Sequence, residues 1–194
     1  MSTNVWTQSD TEKWKLQFAV GLNNPFENES ARGYFSHDLN FPTINLGIQH
    51  MFTGSMGAKL DLGYNRSSNA DESPEFKLNY TRINAQFVYD FFDLLTFMPN
   101  RINIVGHAGP GISFTKPLDQ FADNTYTFLN FLVGFELHYG ISESFSIYGD
   151  LGYVYSFSGG EKYDPAVDGL SFDGNLVYAT LGVSVALSGC FFCD

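Results

Sequence analysis

The chain has 194 residues, enough for one domain with a sizeable core. Aromatic residues make up 17% and charged residues only 16%, well under the usual quarter or so. The net charge of -11 argues against nucleic acid, whose phosphates need Lys and Arg, and no apolar run reaches the ~18 residues of a membrane helix.

Period-2 alternation then recurs along the chain and predicts strands. In the first, "WKLQFAVGLN", Trp14, Leu16, Phe18, Val20 and Leu22 share one face, with Lys15, Gln17, Ala19, Gly21 and Asn23 on the other. In the second, Ile44, Leu46 and Ile48 alternate with Asn45, Gly47 and Gln49. The third sets Leu60, Leu62 and Tyr64 against Lys59, Asp61 and Gly63. The fourth sets Ile83, Ala85, Phe87 and Tyr89 against Arg82, Asn84 and Gln86. The fifth, "NIVGHAGPGISF", is glycine-rich but is not a phosphate loop, because its alternation continues and no helix follows. Its face of Ile104, Gly106, Ala108, Pro110, Ile112 and Phe114 opposes Asn103, His107, Gly109, Gly111 and Ser113. Pro110 removes a ladder donor, so a local bend or bulge is expected there. The sixth sets Phe131, Val133, Phe135 and Leu137 against Asn130, Gly134, Glu136 and His138. The seventh sets Ile147, Leu151, Tyr153 and Tyr155 against Ser146, Tyr148, Asp150 and Gly152. The eighth sets Val177, Leu181, Val183 and Val185 against Tyr178, Thr180, Gly182 and Ser184.

Eight strands with connectors of alternating length follow. Residues 24–40, 66–77, 116–126 and 158–174 are long and polar; 52–55 and 140–144 are short turns; 90–100, "DFFDLLTFMPN", is longer and apolar. Long loops at one end and short turns at the other describe an all-β, eight-stranded antiparallel up-and-down transmembrane β-barrel. A soluble barrel packs its apolar face inward; a membrane barrel reverses this. The polar face here is rich in glycine, as a narrow interior requires, and carries Lys15, Lys59, Asp61, Arg82, Glu136 and Asp150, three of each sign. The aromatics Trp14, Tyr64, Tyr89, Phe114, Tyr139 and Tyr155 fall near strand ends, where membrane girdles sit. The membrane arrangement is therefore expected.

The whole pattern resembles the N-terminal barrel of the outer membrane protein A (OmpA) family, in its Bacteroidota form. "KWKLQFAVGLNNP", "YTRINAQFVYDF" and "NIVGHAGPG" carry the likeness best, and "LGVSVAL" more loosely, over about residues 12–188. The resemblance implies a periplasmic N-terminal segment at 1–11, a barrel at 12–188, and a tail or linker start at 189–194. It also implies extracellular long loops and a bacterial outer-membrane location. The opening "MSTNVWTQSD" does not read as a leader, so the leader is expected to be absent from this chain.

The site expectations centre on the lumen. Its six charges either gate a narrow water path or fill and neutralise the interior, and the filled interior is favoured. Asp61 and Arg82 are expected to pair, whereas Glu136 and Asp150, on adjacent strands, need a cation or proton between them. His107 and His138 face inward as hydrogen-bonding groups, and no metal or other cofactor is expected. "SHD" at 36–38 supplies catalytic residue types, but adjacent residues do not by themselves make a constellation, so no enzyme is expected. The acidic loop residues Asp71, Glu72 and Glu75, and Glu161, Asp164, Asp168 and Asp173, serve solubility or bridge cations to lipopolysaccharide phosphates. Cys190 and Cys193 form a lone CxxC with no second pair. The expected role is structural, with outer-membrane lipid and lipopolysaccharide as surroundings and outer-membrane or periplasmic proteins as docking partners. The alternatives are a subunit of a secretion or assembly complex and a narrow gated diffusion channel.

Overall fold

A computed structural model describes residues 13–26, 33–92, 95, 99, 101–118, 121–142, 144–157, 163, 168 and 170–187. Eight strands, β1 (Trp14–Pro25), β2 (Asn40–Met51), β3 (Met56–Ser68), β4 (Lys77–Asp90), β5 (Ile102–Pro117), β6 (Tyr126–Gly140), β7 (Phe145–Ser156) and β8 (Leu176–Ala186), follow one another around a closed barrel. Every neighbouring pair is antiparallel, and β1 closes on β8 from Lys15↔Ala186 to Pro25↔Leu176. Closure leaves no free strand edge, so the ladder satisfies backbone N–H and C=O groups around the ring except where the β1–β2 register shifts between Gly21 and Asn23 and where the β4–β5 ladder lapses beside Pro110.

The direction of each side chain follows from the pleat, and here it is inverted relative to a soluble barrel. Leu60 is 56% exposed, Leu129 63% and Phe135 52%, while Arg82 and Glu136 on the opposite face are 0% and 1% exposed. Trp14, Phe114, Tyr139 and Tyr155 are exposed and Tyr64 and Tyr89 half-buried. Trp14, Tyr89 and Tyr139 stand at the short-turn end, with Trp14 against His50 at 4.4 Å between centroids and Tyr89 against Phe91 at 4.9 Å. An apolar outer belt of this extent is costly in water and favourable in lipid.

Pro110 is accommodated without the expected bulge. The β4–β5 pairing stops after Asn84↔Gly111 and resumes in the same register at Phe87↔Ala108, so the ladder lapses where the proline lacks an N–H. The β5–β6 ladder runs unbroken through Pro110↔Phe131.

At the long-loop end part of the interior is apolar. Phe76, Leu78, Tyr80, Phe128, Leu132, Val154, Tyr163, Leu170, Phe172, Leu176 and Tyr178 form a buried apolar cluster. Tyr163, Leu170 and Phe172 come from the connector after β7, and these described residues of it pack into the mouth of the barrel. Backbone bonds from Phe26 N to Asn175 O (2.9 Å) and from Asp173 N to Phe26 O (3.2 Å) tie this connector to the end of β1. The barrel is thus stoppered at one end by aromatic and aliphatic side chains.

Candidate functional site: the barrel lumen

Below the stopper the lumen is lined mainly by bonded polar side chains, drawn from all eight strands. Arg82 on β4 is the deepest charge. Its Nη2 donates to Asp61 Oδ2 (3.2 Å) on β3 and to Asn45 Oδ1 (3.1 Å) on β2, and its Cζ lies 4.6 Å from the centre of the Tyr178 ring on β8. Lys59 on β3 reaches across the barrel and donates to Glu136 Oε1 on β6 at 2.5 Å. Glu136 Oε2 accepts from Gln17 Nε2 (2.9 Å) on β1 and from His138 Nε2 (2.6 Å). His107 on β5 places Nδ1 2.5 Å from Gln86 Oε1 and Nε2 3.1 Å from Asp150 Oδ1 on β7. Asn84 Nδ2 donates to Asn130 Oδ1 (2.5 Å), and Asn130 Nδ2 to Ser113 Oγ (2.7 Å), which also meets Tyr80 Oη (2.6 Å). His138 stacks on Tyr148 at 4.9 Å and its Nδ1 is 3.2 Å from Ser146 Oγ.

The structure therefore sets Asp61 beside Arg82. Glu136 and Asp150 stand directly opposite on β6 and β7, each with a different nitrogen partner. Lys15 is half-buried near the short-turn end, away from this network. Packing is decided as much by glycine as by charge. A Cβ at Gly63 would overlap the Arg82 guanidinium, one at Gly152 the Tyr178 ring, and one at Gly134 would lie 2.7 Å from the His107 ring. Each of these large lumen side chains is housed over a glycine of the next strand.

The Ser36, His37 and Asp38 stretch does not converge. Ser36 is buried with Oγ turned to His37 O (3.3 Å), while His37 and Asp38 are exposed. Asp71, Glu72 and Glu75 are exposed and have no place in the barrel interior, whereas of the fourth connector's described aspartates Asp168 is buried and Asp173 half-buried. The fourth long connector is therefore not simply a solvated loop, as its polar composition suggested. Burial pushes the Asp173 carboxyl above its usual range, against the bonds donated by Asn175. Residues 1–12, Glu161, Asp164, most of the 93–100 turn, Cys190 and Cys193 lie outside the described residues.

The strand pattern passed over the inward apolar residues Val88, Val105, Leu132 and Val154, because apolar groups inside break the alternation of polarity without breaking that of direction. It also passed over Tyr163 and Phe172. The only sequence signal was "LSF" at 170–172 within a polar connector.

No protein-family model and no curated protein sequence matches the chain. Solved structures do. Neisserial surface protein A (NspA) superposes with a TM-score of 0.64 at 11% identity, covering 90% of this chain and 97% of that one. A major outer membrane protein from Thermus thermophilus gives 0.57 at 13% identity, covering 89% and 98%. The N-terminal β-barrel domain of Pseudomonas aeruginosa OprF gives 0.50 at 12% identity, covering 88% and 96%. At such identities the likeness is one of fold, and the fold is that of the eight-stranded outer-membrane β-barrel.

Proposed function

We propose that this protein is a non-enzymatic integral barrel of a bacterial outer membrane, of the OmpA type, whose work is structural. It strengthens the envelope from within the lipid, beside lipopolysaccharide, and offers its loops and short-turn rim to outer-membrane or periplasmic partners. One observation carries this reading: the barrel is apolar outside and filled inside. A lumen occupied by bonded charges below and by a packed aromatic stopper above supports a solid wall element over an open pore. Ser36 is buried with its Oγ on the His37 backbone carbonyl while His37 and Asp38 are exposed, which supports a non-enzymatic role.

Three measurements test it. The unboiled protein should migrate faster than the boiled form in detergent gels; solubility without detergent would overturn the membrane assignment. Planar bilayers should show no steady conductance; a stable open channel would overturn the filled-lumen reading. Cells lacking the protein should become sensitive to detergent and osmotic shock, and an unaltered envelope would overturn the structural role.

A further inference from the structure

The contact between His107 and Asp150 poses a chemical problem. His107 Nδ1 lies 2.5 Å from the Gln86 side-chain amide; with the amide oxygen facing it, Nδ1 carries the ring hydrogen, and Gln86 Nε2 is then left buried without a partner. In the neutral ring the bare Nε2 then faces Asp150 Oδ1, a second acceptor, at 3.1 Å. Two buried acceptors in contact require a cation between them. His107 is 4% exposed and Asp150 5%.

A third donor converges on the same point. One ligand atom each of His107, Glu136 and Asp150 lies within 4.8 Å of the others. Groups bound to one ion at about 2.1 Å end up no more than about 4.2 Å apart, so side-chain rotation closes the set. Three strands, β5, β6 and β7, contribute one group each. A proton joins two atoms; three converging groups from three strands fit a metal ion.

Independent observations point the same way. Among several buried polar atoms without a hydrogen-bond partner, two oxygens, Gln17 Oε1 and Thr180 Oγ1, belong to residues next to the cluster. Gln17 is already bonded to Glu136 through its amide nitrogen, and Thr180 pairs with Asp150 across β7–β8. The buried network also holds three carboxylates, Asp61, Glu136 and Asp150, against Lys59 and Arg82, a shortfall of one positive charge that a proton on the His107–Asp150 contact or a metal ion would supply.

We propose that His107 Nε2, Asp150 and Glu136 form a binding site inside the lumen for one divalent transition-metal ion of the zinc class. The donor set selects it: one imidazole nitrogen with two carboxylates suits Zn²⁺ and its first-row neighbours, whereas Mg²⁺ and Ca²⁺ take oxygen alone. The surroundings have the form of an outer ligand shell. Gln86 fixes the His107 tautomer, and Lys59, Gln17 and His138 hold Glu136 while leaving one of its roughly four lone-pair positions free. The ion clamps β5, β6 and β7 together below the aromatic stopper.

The test uses untagged protein in detergent, stripped with chelator and titrated with Zn²⁺ and with Co²⁺ as a spectroscopic probe. One Zn²⁺ per chain and a Co²⁺ visible band are expected. His107→Ala should abolish both. Asp150→Asn, nearly isosteric and therefore kind to the fold, should weaken binding about 100-fold, and Gln86→Leu about 10–100-fold. Heat-modifiable migration checks that each variant is folded, and a His37→Ala, His50→Ala double variant should bind as the parent does. Absence of stoichiometric binding by the parent would overturn the site. So would binding left unchanged by Asp150→Asn in folded protein. A parent that binds no metal would instead have His107 Nε2–H donating to Asp150.

Discussion

Gly63 and Arg82 face each other across β3 and β4, and the guanidinium fills the space that a Cβ at 63 would take. The arginine cannot easily withdraw, because Asp61, Asn45 and the Tyr178 ring hold it from three sides. Gly63→Ala should therefore cost about 1–3 kcal/mol, as overpacking does. Arg82→Ala leaves Asp61 buried and unpaired and should cost about 3–5 kcal/mol. The double variant should cost clearly less than the sum, since removing the arginine vacates the space. Urea unfolding in lipid vesicles measures all three; additive costs would mean that the two residues do not share this space.

Lys59 and Glu136 form a second buried pair, 2.5 Å apart and on strands that are not ladder neighbours. Lys59→Met should cost about 3–5 kcal/mol by stranding Glu136, and Glu136→Leu a similar amount by stranding Lys59. Lys59→Met combined with Glu136→Leu should recover most of that loss, because an apolar pair of similar volume carries no desolvation penalty. The same unfolding measurement decides it.

The aromatic stopper makes a separate prediction. Phe172 is 3% exposed and packs against Tyr80 at 5.6 Å, edge to face. Phe172→Ala should cost about 3–5 kcal/mol. Combined with Tyr163→Ala, which also removes the bond between the Tyr163 and Thr115 hydroxyls, it should unseat the connector. Bilayer recordings should then show brief openings that the parent lacks, and their absence would mean that the charged layer alone seals the barrel.

The outer belt is tested at Leu60, on the exposed face of β3. Leu60→Arg should cost about 2–4 kcal/mol in a bilayer if this position lies near the midplane. On a water-facing surface the same change falls within about 0.5 kcal/mol. Folding yield into vesicles separates the two.

Strand number, direction and face were legible because a period of two survives even where propensity is weak. "WKLQFAVGLN" alternates without exception, and β1 begins at Trp14. Asp61 and Arg82 could be matched on paper because their strands are joined by one connector. Lys59 and Glu136 could not, being 77 residues apart and meeting only through the width of the lumen. The inward turn of Tyr163, Leu170 and Phe172 was hidden for a related reason: composition describes a connector's solvent preference on average, and three side chains out of a long polar stretch reverse it locally. Pro110 misled in the other direction. A lapse in one ladder sufficed, where a bulge was expected.

The bonds that cross the lumen have a kinetic meaning. Lys59 to Glu136 and Gln17 to Glu136 join strands that lie far apart around the ring. Neither lies within a single hairpin, because β6 is a ladder neighbour of neither β3 nor β1. They engage only once the sheet has curved far enough to set β3, and β1, opposite β6 across the lumen. Such contacts are absent from an early transition state, so they lengthen the lifetime of the finished barrel and leave its rate of assembly almost unchanged. The interior thus works as a latch, thrown late, and the persistence of the folded chain in its membrane depends on these few cross-lumen bonds.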